Sequence, residues 1–399
     1  MRIIMINKFL FPRGGAETYA LELGQELRNR GHTVEYFGMY DKQNTETNRW
    51  GLYTSPLDFH SPKLSDATYP FRIIWSKEAY DKMKTLIKEF KPDVIHLNNF
   101  NYHVTPSVID AAYECGVPVV VTAHDSQFVC PNHLMYDFIH NTVCTKCIDE
   151  HDPKYCFKVA CIHGSKAKSL IGTVEGKYYK EKDTYEHIDK IISPSEFIKS
   201  KLETDSRFLG KIVVMPNYVI PLKETYVQPE REDYIFYFGR LSQEKGVINI
   251  MEAAKAFSDK TFVLAGSGPD EDKLKDIPNI RLAGFCNKEQ LKDYILKARL
   301  VILPSTCYEN CPLAVIEAQR LGAALLVPAY GGATEMTDKK YQIKDTSPEA
   351  LINALNEIID NDEVLEYMRN DSLKRTSEYK TLEEYTEEIE QIYCEVIGR

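Results

Sequence analysis

The chain has no run of 18 or more apolar residues, so no segment has the length of a membrane-spanning helix. It also has no surplus of positive charge. Its 49 Lys and Arg stand against 59 Asp and Glu, a formal net charge of -10, which argues against a general nucleic-acid binder with a basic face. The opening Met1-Arg-Ile-Ile-Met-Ile-Asn7 carries too short an apolar stretch for a secretory signal and reads as a first strand. Without export, the ten cysteines are expected as reduced thiols or metal ligands rather than disulfides, and the chain reads as cytoplasmic.

What is present fits a soluble globular protein: 43% hydrophobic and 27% charged residues over 399 positions, enough for two domains of roughly 200 residues each. Strands alternate with helices. Residues 2–7 read as a strand, followed by the loop Lys8-Phe-Leu-Phe-Pro-Arg-Gly-Gly15 and a helix from about 16 to 29, with Leu21, Leu23 and Leu27 apolar and Gly31 as its stop. Residues 33–37, 92–97 and 117–122 continue as strands, with a helical stretch near 106–115. In the second half, residues 234–239, 261–265, 281–285, 300–303 and 324–327 read as strands between helices. The polar, proline-bearing stretch 221–233 is the best linker. Such alternation implies parallel sheets. The expected fold is therefore α/β, with two doubly wound Rossmann-like domains facing across a cleft at the carboxyl ends of their strands. The boundaries are 1–220 for the first domain, with a cysteine-rich insert at about 126–182, and 221–380 for the second. A C-terminal helix over 381–399 is free to pack back on the first domain.

Two carboxylates, Glu309 and Glu317, flank Asn310-Cys-Pro-Leu-Ala-Val-Ile316. Residues 300–305 read as a buried strand, Pro312 suits the first turn of a following helix and Gly322 its end. Glu309 then sits in the strand-to-helix loop and Glu317 about two turns into the helix. Open amides at the helix start favour an anion, so the site can hold a phosphate and several hydroxyls together. Gly239-Arg-Leu-Ser-Gln-Glu-Lys-Gly246 follows the strand that opens the second domain. Arg240 and Lys245 there suit a diphosphate; alone they fit a solvated loop better, and with the two glutamates downstream the diphosphate reading prevails. Gly266-Ser-Gly-Pro269 can be a tight turn, the backbone of Gly284-Phe285-Cys286 can lie against a base, and Gly331-Gly332 admits close backbone approach.

In this order the pieces resemble glycosyltransferase family 4, retaining enzymes of the GT-B architecture. The resemblance spans nearly the whole chain through Gly14-Gly15-Ala16-Glu17, Pro92-Asp-Val-Ile-His96, Gly239-Arg240 with Lys245, Gly266-Ser-Gly268, Glu309 with Glu317, and Gly331-Gly332 with Glu335. It implies transfer of a sugar from a nucleotide-sugar donor to a saccharide or lipid-linked saccharide, with retained configuration and no catalytic metal. The first domain then becomes the acceptor side and the second the donor side. Glu309 would face the donor sugar and Glu317 the ribose, Arg240 and Lys245 would hold the diphosphate, and the amides after Glu309, through Asn310, Cys311 and Leu313, would touch phosphate or sugar. Phe285 and Cys286 would lie near the base. Gly14 and Gly15 would admit the donor close to backbone, and His124 would face its sugar. The implied mechanism is a front-face displacement in which the departing phosphate takes the acceptor's proton. One departure is Pro216-Asn-Tyr218, where the family commonly has glycine after the asparagine.

The insert holds Cys130, Cys144, Cys147, Cys156 and Cys161. The spacing of Cys144, Cys147, Cys156 and Cys161 is that of a four-thiolate structural zinc site, with His151 and His163 as substitutes; a set of separate thiols is the other reading. Local lysines, among them Lys154, Lys166 and Lys177, allow peripheral contact with the inner membrane face or simply a solvated helix. Two other functions share the architecture: a sugar-nucleotide epimerase, which needs an acid–base pair not evident here, and a catalytically silent nucleotide-sugar binding protein.

Overall fold

The computed structural model describes residues 1–56, 69–222 and 229–398; residues 223–228 of the expected linker lie outside the described residues. The chain divides into two compact units. One comprises Met1–His133, Lys146–Met215 and Leu382–Arg399, and the other Leu134–Thr145 and Pro216–Thr381.

The first unit is built on six parallel strands in the spatial order Thr33–Phe37, Arg2–Ile6, Val94–Leu97, Val119–Thr122, Lys190–Ser193, Ile212–Val214. Val94–Leu97 and Val119–Thr122 are buried at every position. Their sequences therefore do not alternate, as expected for parallel strands covered on both faces. The helix Lys77–Phe90 starts where Ser76 Oγ accepts from the Ala79 amide and stops at Lys91, which is left-handed at φ 52°.

The terminal helix Leu382–Ile397 belongs to this same unit. Its buried face carries Tyr385, Ile389, Tyr393 and Val396, and each aliphatic side chain so buried contributes about 1.5–3 kcal/mol. Polar bonds fix its register. Tyr393 Oη pairs with His96 Nδ1 at 2.6 Å, His96 Nε2 with Thr122 Oγ1 at 2.8 Å, and Tyr19 Oη with both Thr122 Oγ1 (3.1 Å) and Tyr385 Oη (2.8 Å). Arg30 and His32 meet Glu390 at its outer edge.

Between the strands Val119–Thr122 and Lys190–Ser193 the first unit carries three insert helices, Lys146–Asp149, Lys154–Val159 and Lys166–Glu181. The first and third border a cavity of about 380 Å³ whose walls include Cys130, His133, Cys147 and Glu175. His133 stacks on Tyr102 and lies 3.7 Å from Glu175. Burial disfavours the charge of His133, but Glu175 outweighs it and raises its pKa. Among the described residues no helix is long and apolar enough to cross a membrane.

The second unit has five parallel strands in the order Ile280–Gly284, Thr261–Ala265, Tyr234–Phe238, Leu300–Ile302, Leu325–Leu326. Tyr234–Phe238 is central and wholly buried, which suits its four aromatics in five positions. The strand order reverses between Tyr234–Phe238 and Leu300–Ile302, and ligands of open α/β sheets bind at such a reversal. The helix Lys288–Lys297 opens with a reciprocal cap between Asn287 and Gln290. A two-stranded hairpin, Tyr136–Asp137 against Thr142–Val143, also belongs to this unit although its residues fall within the expected insert.

Candidate functional site

In the second unit the loops leaving the two strands at the reversal carry Arg240, Lys245 and Glu309. After Tyr234–Phe238 the chain turns through a short 3-10 segment, Gln243–Lys245, into the helix Val247–Ala256. After Leu300–Ile302 it runs to the helix Leu313–Arg320. Lys245 Nζ meets Glu309 Oε1 at 2.5 Å, and Ser305 Oγ donates to the same oxygen at 2.5 Å. Burial pushes the Glu309 carboxyl up, but Lys245 and Ser305 outweigh it and hold its pKa below the ordinary value. Burial likewise opposes the Lys245 ammonium, and Glu309 outweighs it, keeping that pKa above the ordinary lysine value. Both groups are therefore ionised at neutral pH. Arg240 is exposed, and among the described residues its guanidinium has no ion-pair or hydrogen-bond partner. The site thus presents one free cation beside a paired one.

Close backbone packing joins these loops to their neighbours. A Cβ at Gly331, where φ is +73°, would come within 2.8 Å of Glu309 O, and the neighbouring Gly332 amide donates to that carbonyl at 2.7 Å. The paired glycines therefore serve the Glu309 loop itself. A Cβ at Gly266 would sit 1.9 Å from Gly239 O, so the Gly266-Ser-Gly268 turn lies flat on the loop bearing Arg240. Leu241 and Ser267 close that contact with a 3.0 Å backbone bond.

Pro312 is the N-cap of its helix, not a residue of the first turn, and the helix begins at Leu313. Glu317 accordingly lies about one turn in rather than two. No side chain caps this helix start, so the amide of Leu313 has no side-chain cap. Gly322 ends the helix with φ +63°, as its position predicts. Glu317 is half-buried and pairs with Arg320 at 3.4 Å. Asn310 is half-buried and Cys311 buried. Phe285 follows its strand with 85% of its surface exposed, while Cys286 beside it is buried.

Three further contributors brace the site, and of these only Asn217 stood in a motif that the sequence singled out. Ser305 is the second partner of Glu309. Asn217 Nδ2 donates to Cys311 O at 2.6 Å, bracing the loop before the helix, so the asparagine of Pro216-Asn-Tyr218 acts without a following glycine. The hairpin is the third: Tyr136 Oη bonds Thr306 Oγ1 at 3.2 Å, and Gln243 Nε2 donates to Phe138 O at 3.0 Å. It packs directly behind the Lys245 and Glu309 loops.

In the first unit the strand order reverses between Arg2–Ile6 and Val94–Leu97. Gly14 and Gly15 are exposed at the start of the helix Gly15–Asn29, Gly14 being its N-cap. His124 follows Val119–Thr122; its Nε2 donates to Asn98 Oδ1 at 3.1 Å and its ring stands edge-on to Tyr19 at 4.8 Å. Burial lowers its pKa. The ring is neutral at physiological pH, and with Nε2–H committed to Asn98 its Nδ1 is an acceptor. Asp125 braces the same loop through Asn101 Nδ2 and the Gln127 amide.

Of the four insert cysteines expected as zinc ligands, Cys156 and Cys161 are together, with Sγ atoms 2.8 Å apart. The Cys147 thiol points to Pro153 O at 3.7 Å, and Cys144 falls in the other unit. Among the described residues no three His, Cys, Asp or Glu side chains are placed to hold a metal ion, so the thiols as arranged do not form a closed tetrahedral set.

Residues 13–221 match the profile of Glycosyltransferase Family 4 and residues 221–375 that of Glycosyl transferases group 1. The O-antigen chain mannosyltransferase C of Escherichia coli is 21% identical over 100% of this chain and 99% of its own. A UDP-Gal:alpha-D-GlcNAc-diphosphoundecaprenol alpha-1,3-galactosyltransferase of Escherichia coli is 23% identical over 78% of each. The putative teichuronic acid biosynthesis glycosyltransferase TuaC of Bacillus subtilis reaches 34% identity, over 30% of this chain and only 31% of its own length. Among solved structures, sucrose-phosphate synthase from Thermosynechococcus elongatus superposes with a TM-score of 0.71 at 17% identity, covering 100% of this chain and 99% of that one. Anabaena HepE in complex with UDP-glucose gives 0.67 at 16%, covering 99% and 100%.

Proposed function

The chain belongs to glycosyltransferase family 4, and from that premise we propose that it moves a sugar from a nucleotide-sugar donor to a saccharide or lipid-linked saccharide, with retained configuration and no catalytic metal. The observation that carries this reading is the Lys245–Glu309 pair beside the unpartnered Arg240, placed where the sheet reverses. A donor diphosphate entering there meets Arg240 directly, and Lys245 can turn part of its charge from Glu309 to phosphate. Glu309 then holds hydroxyls of the donor sugar and Glu317 the ribose. The open amides at Leu313 sit against phosphate or sugar, and the exposed Phe285 offers a surface for the base.

In the reaction the bond from the anomeric carbon to the phosphate oxygen breaks, and the acceptor oxygen bonds that carbon on the same face. The acceptor's proton passes to the departing phosphate, so no protein base is assigned. Arg240 and Lys245 stabilise the charge growing on the leaving group. His124, neutral and with Nδ1 open, accepts a hydrogen bond from a sugar hydroxyl.

The neighbour solved with UDP-glucose and the relative named for UDP-galactose support a UDP-sugar donor, and the latter's diphosphoundecaprenol acceptor supports a lipid-linked one. We place this activity in polysaccharide or glycolipid assembly in the cytoplasm. A structural zinc on Cys144, Cys147, Cys156 and Cys161 is a separate proposal; binding would draw the thiols into a set they do not now form, and metal analysis of protein purified without chelator tests it. For the function itself, a panel of UDP-, GDP- and ADP-sugars is tested by thermal shift and by product formation. A UDP-sugar is expected to raise the melting temperature and to yield product with a lipid-diphosphate saccharide. Stabilisation by none of them, or isomerisation of the donor in place of transfer, overturns the reading.

A further inference from the structure

Between Pro153 and Lys180 the insert carries six lysines, all exposed, and one carboxylate, Glu175, which is buried. On a chain of net charge -10 this is a sharp local reversal of sign. Half-buried Asp152 and exposed Glu181 lie just beyond its two ends and pair with Lys154 and Lys177. Within the same stretch three large apolar side chains face solvent: Phe157 at 40%, Leu170 at 48% and Val174 at 48% exposure.

The fold turns these residues outward. The inner face of helix Lys166–Glu181 carries Ser169, Gly172, Thr173 and Gly176, and a Cβ at Gly172 would come within 2.9 Å of Pro131 O. That face is thus pressed flat onto backbone, leaving Leu170 and Val174, one turn apart, on the opposite side. Lys166 Nζ donates to the carbonyls of Phe157 and Lys158 at 3.1 and 2.6 Å and stands 5.2 Å over the Phe157 ring. This fixes Phe157 beside the first turn of the longer helix. The result is a set of exposed apolar side chains among exposed ammonium groups, of which Lys154, Lys166, Lys177 and Lys180 also hold local partners.

We propose that this face docks on the surface of a bilayer containing anionic phospholipids, with Phe157, Leu170 and Val174 entering the headgroup region and the lysines meeting lipid phosphates. The composition favours lipid over protein: cores of protein interfaces are depleted in lysine, whereas interfacial helices set lysines on the polar face against Phe and Leu on the other. The inference deepens the proposed function by naming the surface that brings the enzyme to a lipid-linked acceptor, and it rests on that reading only for its purpose.

The test is flotation of the full chain with phosphatidylcholine vesicles, with and without phosphatidylglycerol. The native protein is expected to float with the anionic vesicles at low salt, to be released at high salt, and to ignore phosphatidylcholine alone. Leu170→Glu with Val174→Glu, and separately Lys168→Glu with Lys177→Glu, should each lower the bound fraction roughly tenfold or more. Both variants should keep the native melting temperature and transfer to a water-soluble acceptor, because these side chains are exposed and remote in sequence from the donor-site residues. Failure of the native protein to float at low salt overturns the proposal. So does flotation of the variants at the native level, or a native dimer in solution that the Leu170→Glu, Val174→Glu change dissociates. Flotation without transfer to any acceptor would defeat the proposed function while leaving the docking surface standing.

Discussion

The two sheets reverse their strand order once each, and the side chains gathered near the two reversals are opposite in electrical character. In the first unit they are imidazoles kept neutral: burial pushes His96 down to about 3 and also depresses His124. In the second they are a lysine and a glutamate kept charged by each other, Lys245 and Glu309. Burial acts against charge in both places. It prevails in the first because the partners there, Tyr393, Thr122 and Asn98, are neutral, and it loses in the second because the partner is an opposite charge. A neutral hydrogen-bonding set suits hydroxyl groups, whereas a paired cation suits a phosphate that can displace its partner.

The sharpest way to break this contrast is to remove the cation. Lys245→Ala should lower turnover by about 10²–10³-fold, the usual loss when one charge-stabilising group is removed from a leaving group. It also strands a largely buried carboxylate. Steady-state kinetics checks this; turnover near native means the pair is merely structural.

Acid should separate the two regions. His96 has its pKa lowered in the fold, so between roughly pH 6.5 and 3 the unfolded chain binds a proton that the folded chain does not. Its contribution is complete above about 6.5 and is lost on acidification at about 1.4 kcal/mol per pH unit. The Lys245–Glu309 pair loses stability only when pH falls through the depressed value of Glu309. Urea unfolding at pH 7 and 5 should therefore show the first unit weakened more than the second. Equal weakening contradicts the assignment.

A smaller effect is expected at the terminal helix. Tyr393→Phe removes the partner of His96 Nδ1 and should cost about 1–3 kcal/mol through the unsatisfied buried nitrogen. Denaturant midpoints measure it, and hydrogen exchange should show Leu382–Ile397 opening more readily.

All five strands of the second sheet and four of the six in the first could be read from the sequence because they are short, apolar and spaced by helices; Lys190–Ser193 and Ile212–Val214, which follow the insert and its lysines, were not. The pairing of Glu309 with the Lys245 loop could be anticipated from strand-end positions, since topology brings such loops together. Partners chosen by tertiary approach could not. Tyr136 and Thr306 are 170 positions apart, and nothing in the sequence around Cys130 and Cys144 indicates that the hairpin between them packs in the other unit. Gly331-Gly332 suggested close backbone approach, and at Gly331 the backbone that approaches is that of Glu309. Pro312 illustrates a boundary effect: its fixed φ is allowed both at the N-cap and in the first turn, so residue type alone left the helix start uncertain by one position.

The central claim is that Glu309 and Lys245 form a donor-holding pair rather than an acid–base or nucleophilic one. Glu309→Gln tests it most directly, with UDP binding measured by calorimetry and transfer measured on the same preparation. The account predicts UDP affinity within a few-fold of native and transfer depressed about 10²-fold or more, because glutamine keeps the shape but not the charge facing the sugar. Native transfer by this variant, or loss of UDP binding together with transfer, would contradict it.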